Sequence, residues 1–172
     1  MAIVPDTKNW TWVLERACGE CGFDSSATAA AEVAGLVRAN AAAWPAVLGR
    51  EGVDERPDDA TWSTLEYAAH VRDVFTISQE RFSLMLEEVD PTFANWDQDV
   101  TAVEERYNEQ DPSVVAEQLV AEAEALALLL ESVPADAWER RGLRSDGSVF
   151  TVDTLARYVI HDPVHHLHDV RG

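Results

Sequence analysis

The sequence predicts an all-α fold, a four-helix bundle with a small turn-rich or hairpin connector before the last helix. Two observations lead to this prediction. The 8 glycines and 7 prolines fall mostly between long segments, and the best-marked segment repeats its core positions at helical spacing. Long helices joined by loops of varied length are typical of a bundle. Because 172 residues is the size of one ordinary domain, we expect residues 1–172 to form a single domain.

The first helix is expected to start at Asp24, a good N-cap, and to continue through an Ala-rich stretch towards Val47. Pro45 lies near its end and is expected to bend or terminate it. The following segment, Gly49 to Ala60, is polar and contains both glycine and proline. It is therefore predicted to be a connection.

The second helix has the clearest start signal in the chain. Ser63 followed three residues later by Glu66 is a capping box, and Pro91 marks the far end. Between them, one helical face is expected to point into the core. Its members are Val71, Val74, Phe75, Ser78, Phe82, Met85, Leu86 and Val89.

Residues 92–110 are predicted to be a long polar linker. A third helix is expected to follow, with Asp111 as N-cap and Pro112 at its first position, and to stop before Pro134. Residues 141–150 are rich in turn-forming residues, which predicts a connector with a small hairpin around Asp146-Gly147. Thr151 is expected to cap the fourth helix.

The chain is strongly acidic, with 13 Lys and Arg against 32 Asp and Glu and a formal net charge of −19. Such a surface repels phosphates and anionic lipids, so we expect neither nucleic acid nor a membrane as partner. No apolar stretch approaches the ~18–20 residues of a membrane span. Met1–Trp10 also lacks the basic flank and apolar run of a signal peptide. We therefore expect a cytoplasmic protein.

Four of the five histidines lie between His161 and His168. On a helix, His161 and His165 point the same way about one turn apart, so both imidazoles can reach one cation. His70 borders the core-facing stripe of the second helix. A third imidazole from there would complete a three-histidine site with open coordination positions. His166 is rotated by about 100° and is expected to face solvent or a neighbouring helix.

Each part of this site has an alternative. A single histidine such as His70 is often a hydrogen-bonded core residue, and a short histidine cluster can be a solvated face or an incidental metal trap. Pro163 lies between the two proposed ligands of the last helix and removes a helical hydrogen bond. It either kinks the helix or begins a new one with Asp162 as N-cap, and the sequence leaves both open.

The two cysteines form one Cys18-Gly19-Glu20-Cys21 unit. This spacing is that of half a zinc ribbon or of a redox dithiol. A ribbon needs a second pair of ligands, and the histidines are already assigned to the site with His70. We therefore expect two ordinary reduced thiols, with a reversible disulfide as the alternative.

Four motifs carry a resemblance to a known family: Trp62–Asp73, Tyr158–His166, Asn95–Asp99 and Arg144–Gly147. Through the first two, which hold His70 and the last-helix histidines, the chain resembles the DinB/YfiT-like superfamily over nearly its whole length. The other two motifs are similar to an actinobacterial branch whose members are labelled methyltransferase-type DinB-like.

The resemblance implies a four-helix bundle of the DinB/YfiT type that holds one divalent metal, usually zinc or nickel, through three histidines. Carried over by position, these are His70, His161 and His165. Relatives with assigned activities include mycothiol-dependent isomerases and S-transferases that use bacillithiol or mycothiol. The family name implies no DNA binding. Many relatives have Gln where this chain has His168, so this residue is a departure from the family pattern.

Further candidate residues surround the predicted metal. Asp73, three residues after His70, is an expected proton-transfer group. His168 is the other, and it is expected to line the pocket without binding the metal. Asp73 could instead pair with a nearby arginine. Glu66, four residues before His70, could hydrogen-bond the second ring nitrogen of that ligand or serve only its capping box. The expected substrate-binding residues are Trp96, Asp99, Arg144 and Tyr158.

The sequence therefore predicts a metal-dependent enzyme, a thiol transferase, isomerase or hydrolase. Its cation would activate a mycothiol-like thiol or water for attack on a small electrophilic molecule. The alternative is a non-catalytic protein that holds a metal or small ligand in the same pocket. A cleft with convergent polar groups at the metal would favour the enzyme. A sealed apolar ring around the histidines would favour the non-catalytic protein. The sequence leaves a homodimer open.

Overall fold

The computed structural model describes residues 9–171. Most of Met1–Trp10, the segment that lacks the features of a signal peptide, therefore lies outside the described residues. Helices and short strands alternate along the chain. In order, they are α1 Val33–Ala41, α2 Trp44–Leu48, α3 Thr64–Glu87, β1 Thr92–Phe93, α4 Gln98–Glu104, α5 Pro112–Glu131, β2 Arg141–Arg144, β3 Val149–Thr151 and α6 Val152–Asp169. Short 3₁₀ turns cover Trp10–Leu14, Ala30–Glu32 and Tyr107–Glu109.

Helices α1, α3, α5 and α6 form a four-helix bundle, as the sequence predicts. Helix α5 packs against α1 and α3 on one side, and α6 packs against the same two helices on the other. The core between them is made of apolar side chains that are nearly inaccessible to water. Its large members include Trp44, Phe75, Phe82, Phe150, Leu119, Leu126, Leu155 and Ile160.

The predicted starts of three helices are confirmed. The Ser63 hydroxyl accepts a hydrogen bond from the Glu66 N–H, and the Glu66 carboxylate accepts one from the Ser63 N–H at 2.8 Å. The side chains of Asp111 and Thr151 cap α5 and α6 in the same way. These caps satisfy N–H groups that the first helical turn leaves without partners.

The predicted start of the first helix is wrong. Helix α1 begins at Val33, because the Asp24 carboxylate accepts hydrogen bonds from the N–H groups of Ser26 and Ala27 and closes a local turn instead. Short polar side chains often compete with helix formation in this manner. Pro45 does not end α1, because it is the second residue of the short helix α2, which begins at Trp44. In the first helical turn its missing N–H costs nothing.

The linker and the connector contribute to one small sheet. Strands β2 and β3 form the predicted hairpin, with Gly147 in its turn at φ +93°. Strand β1, which lies in the segment 92–110 expected to be a loop, pairs with β2 in parallel. Gly142 of β2 allows close packing, since a Cβ there would lie 2.7 Å from Met85 Cγ on α3. The sheet thus fixes the segment after β1 against α3.

Helix α6 continues through Pro163 without a break, so it does not restart at Asp162. The Pro163 carbonyl accepts a hydrogen bond from the Asn40 side-chain amide of α1 at 2.8 Å. The side-chain oxygen Oδ1 of Asn40 in turn accepts a hydrogen bond from the Trp44 indole N–H at 3.1 Å. This buried chain of hydrogen bonds ties α6 to α1 at the level of the histidines.

Candidate metal centre and cleft

Helix α6 carries two pairs of metal-ligating residues, each with a spacing of four. His161 and His165 form one pair, and Asp162 and His166 form the other. Residues four apart lie on one helical face, and an offset of one residue rotates the face by about 100°. The two pairs therefore point in neighbouring directions, and each meets a different part of the chain.

Asp162 and His166 meet His70 of α3, and we call these three residues the inner group. His70 Nε2 lies 3.1 Å from Asp162 Oδ1, and His166 Nε2 lies 3.6 Å from the same oxygen. One ligand atom from each residue lies within 4.8 Å of the other two. A cation about 2.1 Å from each ligand atom holds neighbouring ligands about 3.0–3.4 Å apart. The 3.1 Å distance lies in this range and the 3.6 Å distance slightly above it, so the inner group is close to the spacing that a divalent cation needs.

The His70 ring is held by packing. The side chain is completely buried, and Nδ1 has no hydrogen-bond partner among residues 9–171. Trp96, from the loop between β1 and α4, stacks on the ring at 5.2 Å with an interplanar angle of 3°, and Trp62 lies 5.3 Å away. These contacts direct Nε2 of His70 towards the other two members of the inner group, Asp162 and His166.

The carboxylate of the inner group is ionised at neutral pH. Burial raises the pKa of Asp162, but the charges of His70 and His166 and a hydrogen bond with His70 outweigh it. The net pKa lies well below its usual range. The group thus offers one anionic oxygen and two imidazoles, a donor set used for several divalent transition metals.

His161 and His165 meet the N-terminal segment instead. Cys18 Sγ lies 3.6 Å from His165 Nδ1, and Cys21 Sγ lies 3.7 Å from His161 Nε2. One ligand atom from each of the four residues lies within 4.8 Å of the others. We call this set the outer group: Cys18, Cys21, His161 and His165.

Burial shifts the pKa values of two members of the outer group, His161 and Cys21. Burial, and next the charge of His165, lower the pKa of His161 to about 4, so this imidazole is neutral at pH 7. Burial is also the largest influence on Cys21 and raises the pKa of its thiol. The thiols of Cys18 and Cys21 are free rather than joined in a disulfide.

The structure thus divides the three predicted ligands between two groups. His70 belongs to the inner group, and His161 and His165 belong to the outer group. A single metal site formed by His70, His161 and His165 stays a prediction, and the division into an inner and an outer group does not support it. The sequence does carry a signal for the inner group, because Asp162 and His166 have the same four-residue spacing as His161 and His165.

A cleft of about 530 Å³ opens beside the α6 histidines. All four residues predicted to bind substrate line it, although substrate binding by them stays a prediction. Arg144 donates to the Tyr158 hydroxyl at 3.3 Å and to Asp146 at 2.8 Å, which orients its guanidinium along the wall. The lining also includes Arg81, Trp96, Asp97, Asp99, His161, Asp162, His165 and His166.

The two predicted proton-transfer residues lie elsewhere. Asp73 accepts hydrogen bonds from Arg72 and from the Tyr107 hydroxyl, in keeping with the alternative in which it pairs with an arginine. His168 is exposed near the end of α6 and does not line the cleft, so the expectation that it faces the pocket is wrong. His166, expected to face solvent or a neighbouring helix, contacts His70 of the neighbouring helix α3 and also lines the cleft.

Glu66 serves the N-terminus of α3, as its simpler interpretation predicts. Its buried carboxylate pairs with Arg56 and caps the Ser63 N–H. Burial raises the pKa of Glu66, but the hydrogen bond with Arg56 and the bond with Ser63 outweigh it. This carboxylate is therefore committed to local structure.

Comparison with known proteins agrees with the helical bundle. The family model of the DinB superfamily matches residues 35–170. The chain belongs to the DinB superfamily. The matched region contains the inner group but begins after Cys18 and Cys21. No curated protein matches the chain.

Among solved structures, this DinB-superfamily chain is similar to YfiT from Bacillus subtilis, with a TM-score of 0.68 and 22% sequence identity. The similarity covers 84% of this chain and 83% of YfiT, which has been described as a probable metal-dependent hydrolase with an unusual four-helix bundle topology. At this identity the likeness establishes the fold. Among residues 9–171, no helix combines the length and apolar character needed to cross a bilayer.

Proposed function

We propose that the chain is a metal-dependent enzyme whose divalent cation, Zn²⁺ or Ni²⁺, is held by the inner group beside the cleft. The observation that carries the proposal is the mutual approach of His70 Nε2, Asp162 Oδ1 and His166 Nε2. Catalytic zinc sites typically use three protein ligands and leave a position for water or substrate. A bound cation would lower the pKa of a coordinated water or thiol, which then attacks a small electrophile.

The cleft suggests the chemistry of that substrate. Arg81 and Arg144 both line it, although the chain has a net charge of −19. Two guanidinium groups in one cleft suit a carboxylate, a phosphate or a polarised carbonyl oxygen. Trp96 and Tyr158 offer aromatic surface and one hydroxyl beside them. We therefore infer a small substrate with an anionic or carbonyl oxygen and an apolar part.

The polar lining favours an enzyme over a non-catalytic ligand-binding protein. Asp97, Asp99 and the two arginines line a cleft together with Asp162 and His166 of the inner group, so the lining is polar and open instead of a sealed apolar ring. The description of YfiT as a probable hydrolase supports the version in which water is the nucleophile. The version with a mycothiol-like thiol rests on the family resemblance. Both versions are compatible with the predicted cytoplasmic location.

The proposal is tested with protein purified without a histidine tag. We expect hydrolysis of small carboxylate-bearing esters, amides or lactones, or transfer of an added low-molecular-weight thiol to an electrophile. His70→Ala and the half-buried His166→Ala should lower the rate by at least ~100-fold. His168→Gln, at an exposed position of the same helix, should not.

Circular dichroism checks that each variant remains helical. A His70→Ala protein that keeps the full metal content and the catalytic rate of the wild-type protein would contradict the assignment of the inner group. Saturable ligand binding without turnover, across water and thiol nucleophiles, would favour the non-catalytic alternative.

A further inference from the structure

The outer group has the spacing of a tetrahedral zinc site. An ion about 2.3 Å from sulfur and about 2.05 Å from nitrogen holds the two ligand atoms about 3.6 Å apart in a tetrahedron. The sulfur–nitrogen distances are 3.6 Å for Cys18 with His165 and 3.7 Å for Cys21 with His161. These residues come from segments 140 and 147 positions apart, and they approach at ligand spacing without a disulfide.

Contacts around the outer group also match those of a metal site. His165 directs Nδ1 towards Cys18 and Nε2 towards the Glu20 carboxylate, 3.3 Å away. Histidine ligands commonly donate their second ring N–H to a carboxylate, which fixes the tautomer and the ring orientation.

The backbone around the cysteines is already folded for this role. The Gly22 N–H donates to the Cys18 carbonyl at 2.9 Å, and the Cys18 N–H donates to the Phe23 carbonyl at 2.8 Å. Gly22 has φ +76°, a conformation that other residues rarely adopt, so glycine is required directly after the second cysteine. The two sulfur atoms are thereby presented together to α6.

We propose that the outer group binds a structural Zn²⁺ ion that fastens the N-terminal segment to α6. Four protein ligands complete the tetrahedron and leave no open position, in contrast to the inner group. Binding replaces the protons of the two thiols, which are released to solvent, and involves no change of oxidation state. This inference does not depend on the proposed catalytic function.

The proposed zinc has a structural consequence for the cleft. Trp10 packs 5.5 Å from the rings of both His161 and His165, so the N-terminal segment covers this face of α6. The ligands of the two groups alternate along α6 with an offset of one residue. A zinc ion on the outer face would therefore also hold Asp162 and His166 in position.

The test uses Co²⁺ as the probe, added to the full chain after its metal is removed. Tetrahedral cobalt bound by thiolates has a near-ultraviolet sulfur-to-cobalt charge-transfer band, which imidazole and carboxylate ligands do not produce. We expect the wild-type chain to show this band. The double variant Cys18→Ser/Cys21→Ser should lose the band and bind about one Co²⁺ fewer per chain.

His70→Ala is the matched control, and it should keep the band because the inner group contains no sulfur. Failure of this inference is therefore distinguishable from failure of the catalytic proposal. The inference is overturned if the wild-type chain shows no charge-transfer band or if the double variant retains it.

A second measurement needs no variant. In the zinc-loaded wild-type chain, Cys18 and Cys21 should react with a thiol reagent at least ~10-fold more slowly than after chelation. Equal rates, or a disulfide in the protein as purified, would likewise overturn the inference.

Discussion

Asp162→Ala is expected to lower the affinity of the inner group for Zn²⁺ by at least ~100-fold and to lower any enzymatic rate in parallel. Residues that merely orient a metal ligand already change affinity by about 10–100-fold when they are removed. Asp162 contributes more, because its Oδ1 contacts both His70 Nε2 and His166 Nε2. Without it, two imidazoles remain and no anionic oxygen balances the charge of the ion.

The measurement is a calorimetric zinc titration in the Cys18→Ser/Cys21→Ser background, so that only the inner group binds the ion. Asp153→Asn is the matched control, since Asp153 lies on the same helix and pairs with Arg157 instead. Unchanged affinity in Asp162→Ala would mean that this carboxylate only pairs with the histidines.

Removal of zinc from the outer group is expected to lower the melting temperature by about 10 °C. An ion present at ~1,000 times its dissociation constant stabilises the folded state by about 4 kcal/mol. For a chain of this size, 1 kcal/mol corresponds to about 2–4 °C. The comparison of zinc-loaded and chelated protein is made in the Asp162→Ala background, where only the outer group retains its ligands.

Loss of zinc from the outer group should first loosen the N-terminal segment and leave the rest of the bundle folded. Arg16 is exposed in the segment that the outer group fastens, whereas Arg106 is exposed beside α4, outside this segment. We expect chelation to accelerate tryptic cleavage after Arg16 and to leave cleavage after Arg106 unchanged. Equal acceleration at both residues would show that the ion supports the whole bundle, and no acceleration would show that it does not hold the segment.

Local signals in the sequence predict most of the bundle. The capping residues Ser63, Asp111 and Thr151 mark the starts of α3, α5 and α6, because they act through hydrogen bonds a few residues away. Asp24 is also a residue type common at N-caps, but its carboxylate closes a local turn. The residue type alone does not distinguish these two uses. The pairing of β1 with β2 depends on a contact across about fifty residues and has no local signature.

The sequence predicts the ligand residues of α6 more readily than their partners. His161 with His165 and Asp162 with His166 have equal spacing, so the rotation of α6 in the bundle decides which pair faces His70. That rotation follows from packing and from contacts such as Asn40 with Pro163. The approach of the cysteines to this helix is likewise a tertiary contact. Spacing alone therefore favours one site, and the packed structure forms two groups.

Anomalous diffraction at the zinc absorption edge, from crystals of zinc-loaded wild-type protein, tests this division most directly. We predict two peaks per chain, one among the ligand atoms of His70, Asp162 and His166 and the other among the outer group. A single peak, from one zinc ion bound jointly by His70, His161 and His165, would contradict the division and support the three-histidine site.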